Sequence, residues 1–383
     1  MKDKIKLLVY PFVEKILFVV SHLIPIKKQI FFSSFSGKNC VDNPRYISIR
    51  FHELYPNYQQ VWVKRKNYNI NFPEYVKVVE WGSFNMILEM LRSKIWIDSH
   101  LKPLWIPKRK KQFYIETWHG GLGMKKIGFD SNKKIPELEK KTILHNTKMI
   151  NLLISNSTWL SNIFRRSYLY NGQILKCGYP KVDAFMRDNE KTYFNVRKQL
   201  NLSAEAKIIL YAPTFRDSEE LDMYNIDLKK LINFVDNLNS DKWYLLVKLH
   251  PVVSLKSKSF FEFNDQIIDV TNFSDMQKLI LATDIFITDY SSGIFDFALL
   301  KRPGFIYASD IEEYEKERGL YFDIKKMPFP FSSTTDELIK NIANFDSKKY
   351  LKNLNQYFDK VGLVQNGDSS DIICKIIIRE IEK

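Results

Sequence analysis

Ten short runs of apolar and β-branched residues, separated by stretches with helical spacing, limit what this chain can become. The runs are "QIFFSSF", "QQVWVK", "KIWIDSH", "FYIETWH", "LLISNS", "KIILYAPTF", "WYLLVKLH", "IIDVT", "IFITDYS" and "GFIYAS". Helical patterns such as "NMILEMLRS", "LKKLINFVDNLN", "DMQKLILATD" and "DELIKNIANF" stand between several of them. Strands that are apolar along their whole length belong to parallel sheets covered by helices on both faces. The pattern predicts the α/β class, and no internal repeat or low-complexity tract disturbs it. A chain of 383 residues exceeds the size at which one hydrophobic core usually stops growing. Two doubly wound domains facing each other are therefore expected, joined near residues 185 to 205. The boundaries that follow are 1–28 for an N-terminal segment, 29–190 for the first domain and 191–383 for the second.

The first 28 residues stand apart. "IKLLVYPFVEKILFVVSHLIPIKK" is strongly apolar, but Lys6, Glu14 and Lys15 interrupt it. Its longest uncharged run, Ile16 to Ile26, is shorter than the roughly 20 residues of a spanning helix. It also lacks a small-residue cleavage site, which argues against a signal peptide. Ile5, Leu8, Val9, Phe12, Ile16, Val19, Val20 and Leu23 recur at helical spacing among lysines, as in an amphipathic helix lying at a membrane surface. A helix packed on the body of the protein is the competing reading, and Pro11 and Pro25 are positions where the segment would bend or end.

Charge adds a preference for anionic partners. The net charge is +14, and one dense cluster, "KPLWIPKRKKQ", carries Lys102, Lys108, Arg109, Lys110 and Lys111. That cluster reads either as a solvated loop or as a patch facing a membrane or polyanion. No helix-turn-helix, zinc-finger or RNA-binding signature accompanies it, so nucleic acid is not an expected partner. Three cysteines, Cys40, Cys177 and Cys374, form no CxxC pair, which argues against a zinc site and suits a reducing compartment.

In open parallel sheets, ligands bind beyond the carboxyl ends of the strands. Three of the six histidines, His100, His119 and His250, stand at the ends of predicted strands. After His119, Gly120, Gly121 and Gly123 permit a sharp turn and a close backbone approach, and Lys125 and Lys126 add positive charge. The spacing is neither a dinucleotide fingerprint nor a Walker loop. In "VKLHP", Lys248 and His250 point to the same side of an extended strand. In "IFITDYSSGIFDFALLKRP", a strand leads to Asp289, and Ser291, Ser292 and Gly293 open a helix whose N-terminus suits a phosphate. Capping of that helix by Ser291 is the plainer explanation for one serine. Asp296, one turn in, faces either the site or solvent.

Seven strings now stand in order: "DNPRYI", "TWHGG", "GYPKVD", "ILYAPTFRD", "KLHP", "TDYSSGIFDFALLKRP" and "GLYFD". Over roughly residues 30 to 370 the chain resembles the CDP-glycerol glycerophosphotransferase family, the teichoic-acid and capsule polyol-phosphate transferases. The resemblance implies a GT-B architecture of two Rossmann-like domains across a cleft. The donor nucleotide would sit mainly in the C-terminal domain, with the acceptor entering from the other. It also implies the reaction: a hydroxyl on a lipid-linked or polymeric acceptor attacks the glycerol-bearing phosphorus of CDP-glycerol, and CMP leaves. His119 matches the family's WHG histidine and is the candidate base, with Asp98 or His100 next in line. His250, Lys248, Ser291, Ser292 and Arg216 are the candidates for holding the diphosphate. Gly120, Gly121, Lys125, Asp289 and Asp296 complete the substrate-binding set. There is no DxD motif, and neither a metal nor a cofactor is expected beyond the CDP-glycerol substrate. The expected place of work is the cytoplasmic face of the membrane, as a peripheral protein on an anionic surface.

The chain departs from the family pattern at two places. Many members read WHGTPLK where this chain has "WHGGLGMK", and the arginine expected two positions before HP is Lys248. The first departure bears on the acceptor or the polyol, glycerol against ribitol. The absence of a long extra N-terminal domain suits a primase-like or capsule transferase better than a long-chain polymerase. Two other functional classes fit the same residues: a GT-B glycosyltransferase using a nucleotide sugar, and a non-catalytic basic peripheral membrane protein binding anionic polymer.

Overall fold

The computed structural model describes residues 2–186, 190–214, 216, 224–238, 240–249 and 261–383. The chain divides into two compact units. The first comprises residues 1–121, 127–183 and 363–383, and the second residues 122–126 and 184–362. This division departs from the chain-order boundaries expected from the pattern in two ways. The last 21 residues belong to the first unit, and the glycine-rich run after His119 is split between the units.

The first unit holds a seven-stranded sheet in the order β3-β2-β1-β4-β5-β6-β7. Its strands are β1 (Lys27–Ser33), β2 (Gln60–Lys64), β3 (Val76–Glu80), β4 (Ser93–Asp98), β5 (Phe113–Glu116), β6 (Leu152–Ser155) and β7 (Gln173–Lys176). Every pairing is parallel. Ile30, Phe31 and Phe32 of β1, Val61, Trp62 and Val63 of β2, and Ile95, Trp96 and Ile97 of β4 are all buried, so the central strands have no solvent face. The edge strands β3 and β7 expose much of their length and read as polar, and neither is visible as an apolar run in the sequence.

The second unit repeats the plan with six parallel strands in the order β10-β9-β8-β11-β12-β13. They are β8 (Lys207–Tyr211), β9 (Trp243–Val247), β10 (Ile267–Asp269), β11 (Ile285–Thr288), β12 (Gly304–Tyr307) and β13 (Phe331–Ser332). A core of Ile209, Leu231, Val235, Leu245, Ile287 and Phe305, among others, lies between this sheet and its helices. In both units the strand order reverses beside the first strand, which places a crevice beyond the ends of β1 and β4 and another beyond β8 and β11.

The C-terminal helix (Ser369–Glu382) is tied to the first unit by specific bonds. The Asp183 carboxylate accepts the N–H groups of Ser369 and Ser370 at 3.2 and 2.7 Å, capping its start. Arg50 of α2 (Asp42–Leu54) pairs with Asp371 at 2.5 Å.

At the other end, α1 (Lys2–Ser21) is one helix that continues through Pro11 and packs beside the helix Glu137–Met149. Leu7, Tyr10, Val13 and Leu17 are half-buried. Ile5, Leu8, Val9, Phe12, Ile16, Val19, Val20 and Leu23 are all exposed, from 40% at Val20 to 84% at Leu23. Among the described residues no helix is long and apolar enough to cross a membrane.

The basic cluster after β4 is largely structural. Lys102 is buried and pairs with Asp98 at 2.9 Å. Arg109 is buried and donates to the carbonyls of Ile24, at 2.6 Å, and Leu91, at 2.5 Å. Lys108 donates to the Gln112 carbonyl at 3.0 Å. Only Lys110 and Lys111 of the five are exposed, so the patch imagined for a polyanion mostly holds the β4–β5 connection together.

Candidate active site

Both strands that lead to candidate histidines end before reaching them. β4 ends at Asp98 because its carboxylate takes the next two backbone donors, Ser99 N–H at 2.8 Å and His100 N–H at 3.1 Å. β5 ends at Glu116, whose carboxyl accepts Trp118 N–H at 2.9 Å and Tyr114 O–H at 2.6 Å. Trp118 is thereby held at φ +56°, a left-handed conformation that costs a bulky residue energy and persists only where the surroundings fix it. The strained turn delivers His119 beside His100, with ring centroids 4.2 Å apart and planes 13° from parallel.

His119 Nδ1 lies 3.0 Å from the Ser99 carbonyl. A carbonyl only accepts, so Nδ1 carries the proton and the lone pair is on Nε2. Burial beneath the rings of Phe35, His100 and Trp118 is the main cause that pushes the His119 pKa down to about 4, with the Lys181 ammonium acting in the same direction. His100 is pushed to about 3, first by burial and then by His119. Both imidazoles are neutral at pH 7. Neither ring keeps the ordinary histidine value near 6.5 in this environment.

The acids behind the turn respond in the opposite sense. Burial, and then the nearby Asp98, raises Glu116 to about 8. Burial also raises Asp98, against the pull of the Lys102 ammonium. Neither carboxyl is positioned as an exposed base: Asp98 and Glu116 are both buried and spend their oxygens on the turn.

Three of the sequence strings meet here. Asn43 of "DNPRYI" is fully buried; its Nδ2 donates to the carbonyls of Thr117, at 3.3 Å, and Trp118, at 3.1 Å, and its Oδ1 accepts Lys181 N–H at 3.2 Å. Lys181 of "GYPKVD" in turn donates through Nζ to the His119 carbonyl at 3.0 Å. Sequence reasoning gave neither residue a role. The available signal was a carboxamide and a lysine each standing next to a proline in those strings. Gly121 closes this part of the site. Lys125 lies in the second unit, where its ammonium stands 5.7 Å from the Tyr314 ring centroid; the flanking backbone pairs with "GLYFD", Lys126 N–H to Gly319 O at 3.1 Å and Tyr321 N–H to Met124 O at 2.8 Å.

In the second unit, β8 runs into Thr214 and Arg216 while β11 runs into Asp289, Tyr290, Ser291 and Ser292. The Asp289 carboxylate accepts Thr214 N–H at 2.8 Å, the Thr214 hydroxyl and Tyr290 N–H at 2.6 Å, and pairs with Arg216 at 2.8 Å. Arg216 also grips Asp310 at 2.7 and 3.1 Å, donates to the Thr214 carbonyl at 2.7 Å, and lies 4.7 Å from the ring centroids of both Tyr290 and Tyr314. Only 6% of Arg216 is exposed. Its guanidinium, expected on a diphosphate, is engaged with the protein's own carboxylates, and Asp289 orders the loops.

Lys248 is also engaged inward, donating to the carbonyls of Val270, Thr271 and Phe273 at 3.4, 3.1 and 2.6 Å. Burial pushes its pKa down to about 8. Ser291 and Ser292 are half-buried and precede the short helix Gly293–Ala298. The Ser291 hydroxyl accepts Gly293 N–H at 3.2 Å, so it serves as a cap, while Ser292 makes no capping bond. Asp296 is buried, with Gln277 Nε2 at 3.4 Å, so it does not face solvent. His250 lies outside the described residues. Among the described residues no group of three or more His, Cys, Asp or Glu side chains is arranged to hold a metal ion.

Residues 16–379 match the sequence profile of the CDP-Glycerol:Poly(glycerophosphate) glycerophosphotransferase family. The chain belongs to that family. A teichoic acid poly(glycerol phosphate) polymerase of Bacillus subtilis (strain 168) is 31% identical over 379 residues, covering 95% of this chain and 50% of the relative. The chain thus spans about half the length of that polymerase. A teichoic acid glycerol-phosphate transferase of Staphylococcus aureus (strain NCTC 8325 / PS 47) is 31% identical over 371 residues, covering 93% of this chain and 94% of the relative. Among solved structures, a variant of the wall teichoic acid polymerase TagF soaked with CDPG superposes with a TM-score of 0.84 at 29% identity, over 97% of this chain and 94% of that one.

Proposed function

We propose that this glycerophosphotransferase-family chain transfers glycerol phosphate from CDP-glycerol to a hydroxyl of a polymeric or lipid-linked teichoic acid acceptor, releasing CMP. One observation carries the reading beyond family membership: a neutral imidazole whose Nδ1 proton is committed to the Ser99 carbonyl, leaving Nε2 as the acceptor for a hydroxyl proton. A base with a pKa near 4 is weak in the empty site. Negative charge on a bound substrate would stabilise the imidazolium and raise that value as the proton is taken. In a GT-B arrangement the second unit would take the donor, with the Ser291–Ser292 turn, the following helix start and His250 receiving the diphosphate. Arg216, Asp289 and Lys248 would fix the loops that shape that pocket, and no metal is needed in this scheme. Purified protein supplied with CDP-glycerol, CDP-ribitol and UDP-sugars, each with a glycerol phosphate-primed acceptor, tests the reading. CMP release and acceptor growth with CDP-glycerol are expected; turnover of a UDP-sugar alone overturns it.

The exposed apolar residues of α1 support a peripheral place on the membrane surface. Deleting residues 1–24 should abolish sedimentation with anionic vesicles and leave turnover of a water-soluble acceptor intact. Loss of the fold instead would assign α1 to packing alone.

A further inference from the structure

Asn43, Asn146 and Asn151 at the first sheet each use the carboxamide to hold backbone groups, and Asn156 does not. Asn43 bridges three backbone groups through both ends of its carboxamide. Asn146 accepts Lys102 N–H at 2.8 Å and donates to the Lys102 carbonyl at 2.7 Å and the Thr142 carbonyl at 2.8 Å. Asn151 accepts Tyr114 N–H at 2.9 Å. Asn156 is only 6% exposed, and its carboxamide makes no hydrogen bond among the described residues, with Oδ1 buried and without a partner.

Its position gives that exception a meaning. β5 and β6 pair in register at Ile115 with Leu152 and Glu116 with Leu153, so the chain emerges from both at the same edge of the sheet. Asn156 is the first residue beyond β6, and beyond β5 come His119, Gly120 and Gly121. The Asn156 backbone is fixed, because its carbonyl accepts Val364 N–H at 2.7 Å and Ser157 caps the next helix by accepting Leu160 N–H at 3.1 Å. The carboxamide lies against Gly121: a Cβ there would stand 2.7 Å from Nδ2. Gly121 does not have a left-handed φ, so the glycine is required for this close approach and not for its backbone torsion.

An unpaired buried carboxamide is costly, and native structures retain such groups where a ligand or a functional role repays them. We infer that Asn156 is a specificity-determining residue that hydrogen-bonds a hydroxyl of the polyol held beside the Gly120–Gly121 turn. The inference rests on the transfer reaction proposed above. A hydroxyl is the matching chemistry because it can accept from Nδ2 or, after a half-turn of the carboxamide, donate to Oδ1. A phosphodiester has no proton to offer Oδ1. Sites built to bond a substrate hydroxyl discriminate strongly against analogues that lack it.

The polyol can belong to the donor or to the acceptor terminus, and one experiment separates them. Wild type and Asn156→Leu, which keeps the volume and removes the polar atoms, are assayed with CDP-glycerol and its deoxy analogue CDP-propanediol, and with acceptors ending in glycerol or propanediol. Asn156→Leu should lower kcat/KM by about tenfold or more with the substrate whose hydroxyl is read. The difference from wild type should vanish with that substrate's deoxy analogue, and the melting temperature should stay level or rise. Equal kcat/KM of wild type and variant with both substrates overturns the inference, as does a fall in melting temperature with unchanged kinetics. If Asn156→Leu does not fold, the wild-type comparison alone decides, since indifference to both deoxy analogues overturns it as well. No transfer from CDP-glycerol by wild type refutes the underlying function, whereas transfer that ignores both deoxy analogues refutes only the role of Asn156.

Discussion

The two crevices share one strand order and differ in what they do with charge. At the ends of β4 and β5, burial keeps His100 and His119 uncharged, and buried acids are used to shape the backbone that carries them. At the ends of β8 and β11, Arg216 lies between Asp289 and Asp310, and the guanidinium is spent on the protein's own carboxylates. The first arrangement leaves a lone pair available for chemistry. The second gives a rigid frame around a short helix start. On the proposed function, one topology would supply a proton-transfer site and a docking frame by changing only the residues just past the strands.

If this contrast is right, equally severe substitutions should fail in different ways. His119→Ala should lower the transfer rate by about 10² to 10⁴ with CDP-glycerol affinity and melting temperature nearly unchanged. In wild type, protonation of His119 removes the base, so kcat/KM should fall as pH drops towards about 4 and stay flat through pH 6.5. An acid limb centred near 6.5, or loss of donor binding in the variant, would break the assignment. Arg216→Ala should do the reverse. Removing one member of a buried ion-pair network leaves two carboxylates uncompensated and should cost about 3 to 5 kcal/mol of stability, read from the denaturant midpoint. A stable Arg216→Ala protein that has lost only donor affinity would return Arg216 to the diphosphate.

A subtler change sharpens the second crevice alone. Replacing Ser291 and Ser292 together by alanine should weaken CDP-glycerol binding by about 1 to 3 kcal/mol if their hydroxyls meet the charged diphosphate. Stability should move less, because only Ser291 makes a capping bond. Unchanged affinity with a lower melting temperature would leave the pair with capping only.

The central strands were legible because each is an unbroken apolar run. Three strands absent from that reading, β3, β7 and β13, are edge strands: the first two expose residues that break the apolar run, and β13 is only two residues long. His100 and His119 were legible as lying near strand ends, though both stand past them, but their neutrality was not, since it comes from the Phe35, His100 and Trp118 rings, which are distant in sequence or share no pattern. The return of the last residues to the first unit was not legible for a similar reason. Asp183 captures the last helix across 186 and 187 residues of chain, an interaction that no local spacing announces. Lys102 and Arg109 looked like surface charge because charge runs usually are, and only the positions of Asp98 and of two backbone carbonyls make them internal.

A pH titration of stability tests whether the first crevice really stores its acid uncharged. Glu116 has its pKa raised to about 8 by burial, so the folded protein holds a proton there that the unfolded chain, near 4.5, releases earlier. Between those values the folded state binds more protons. Stability from this group is therefore fully present below about pH 4.5 and is lost as pH rises through about 8, at no more than about 1.4 kcal/mol per pH unit. His119 contributes with the opposite slope, since its depressed pKa favours the folded state above about 6.5 and that advantage is lost as pH falls towards about 4. The raw stability curve mixes the two, and subtracting the curve of Glu116→Gln isolates the carboxyl. The glutamine retains an oxygen for Trp118 N–H and cannot titrate. Wild type should lose stability relative to Glu116→Gln steadily from about pH 5 to 8. A difference that is flat across that range would mean that Glu116 is ionised beside Trp118. The φ +56° turn carrying His119 would then be held by a full negative charge and not by a neutral acid.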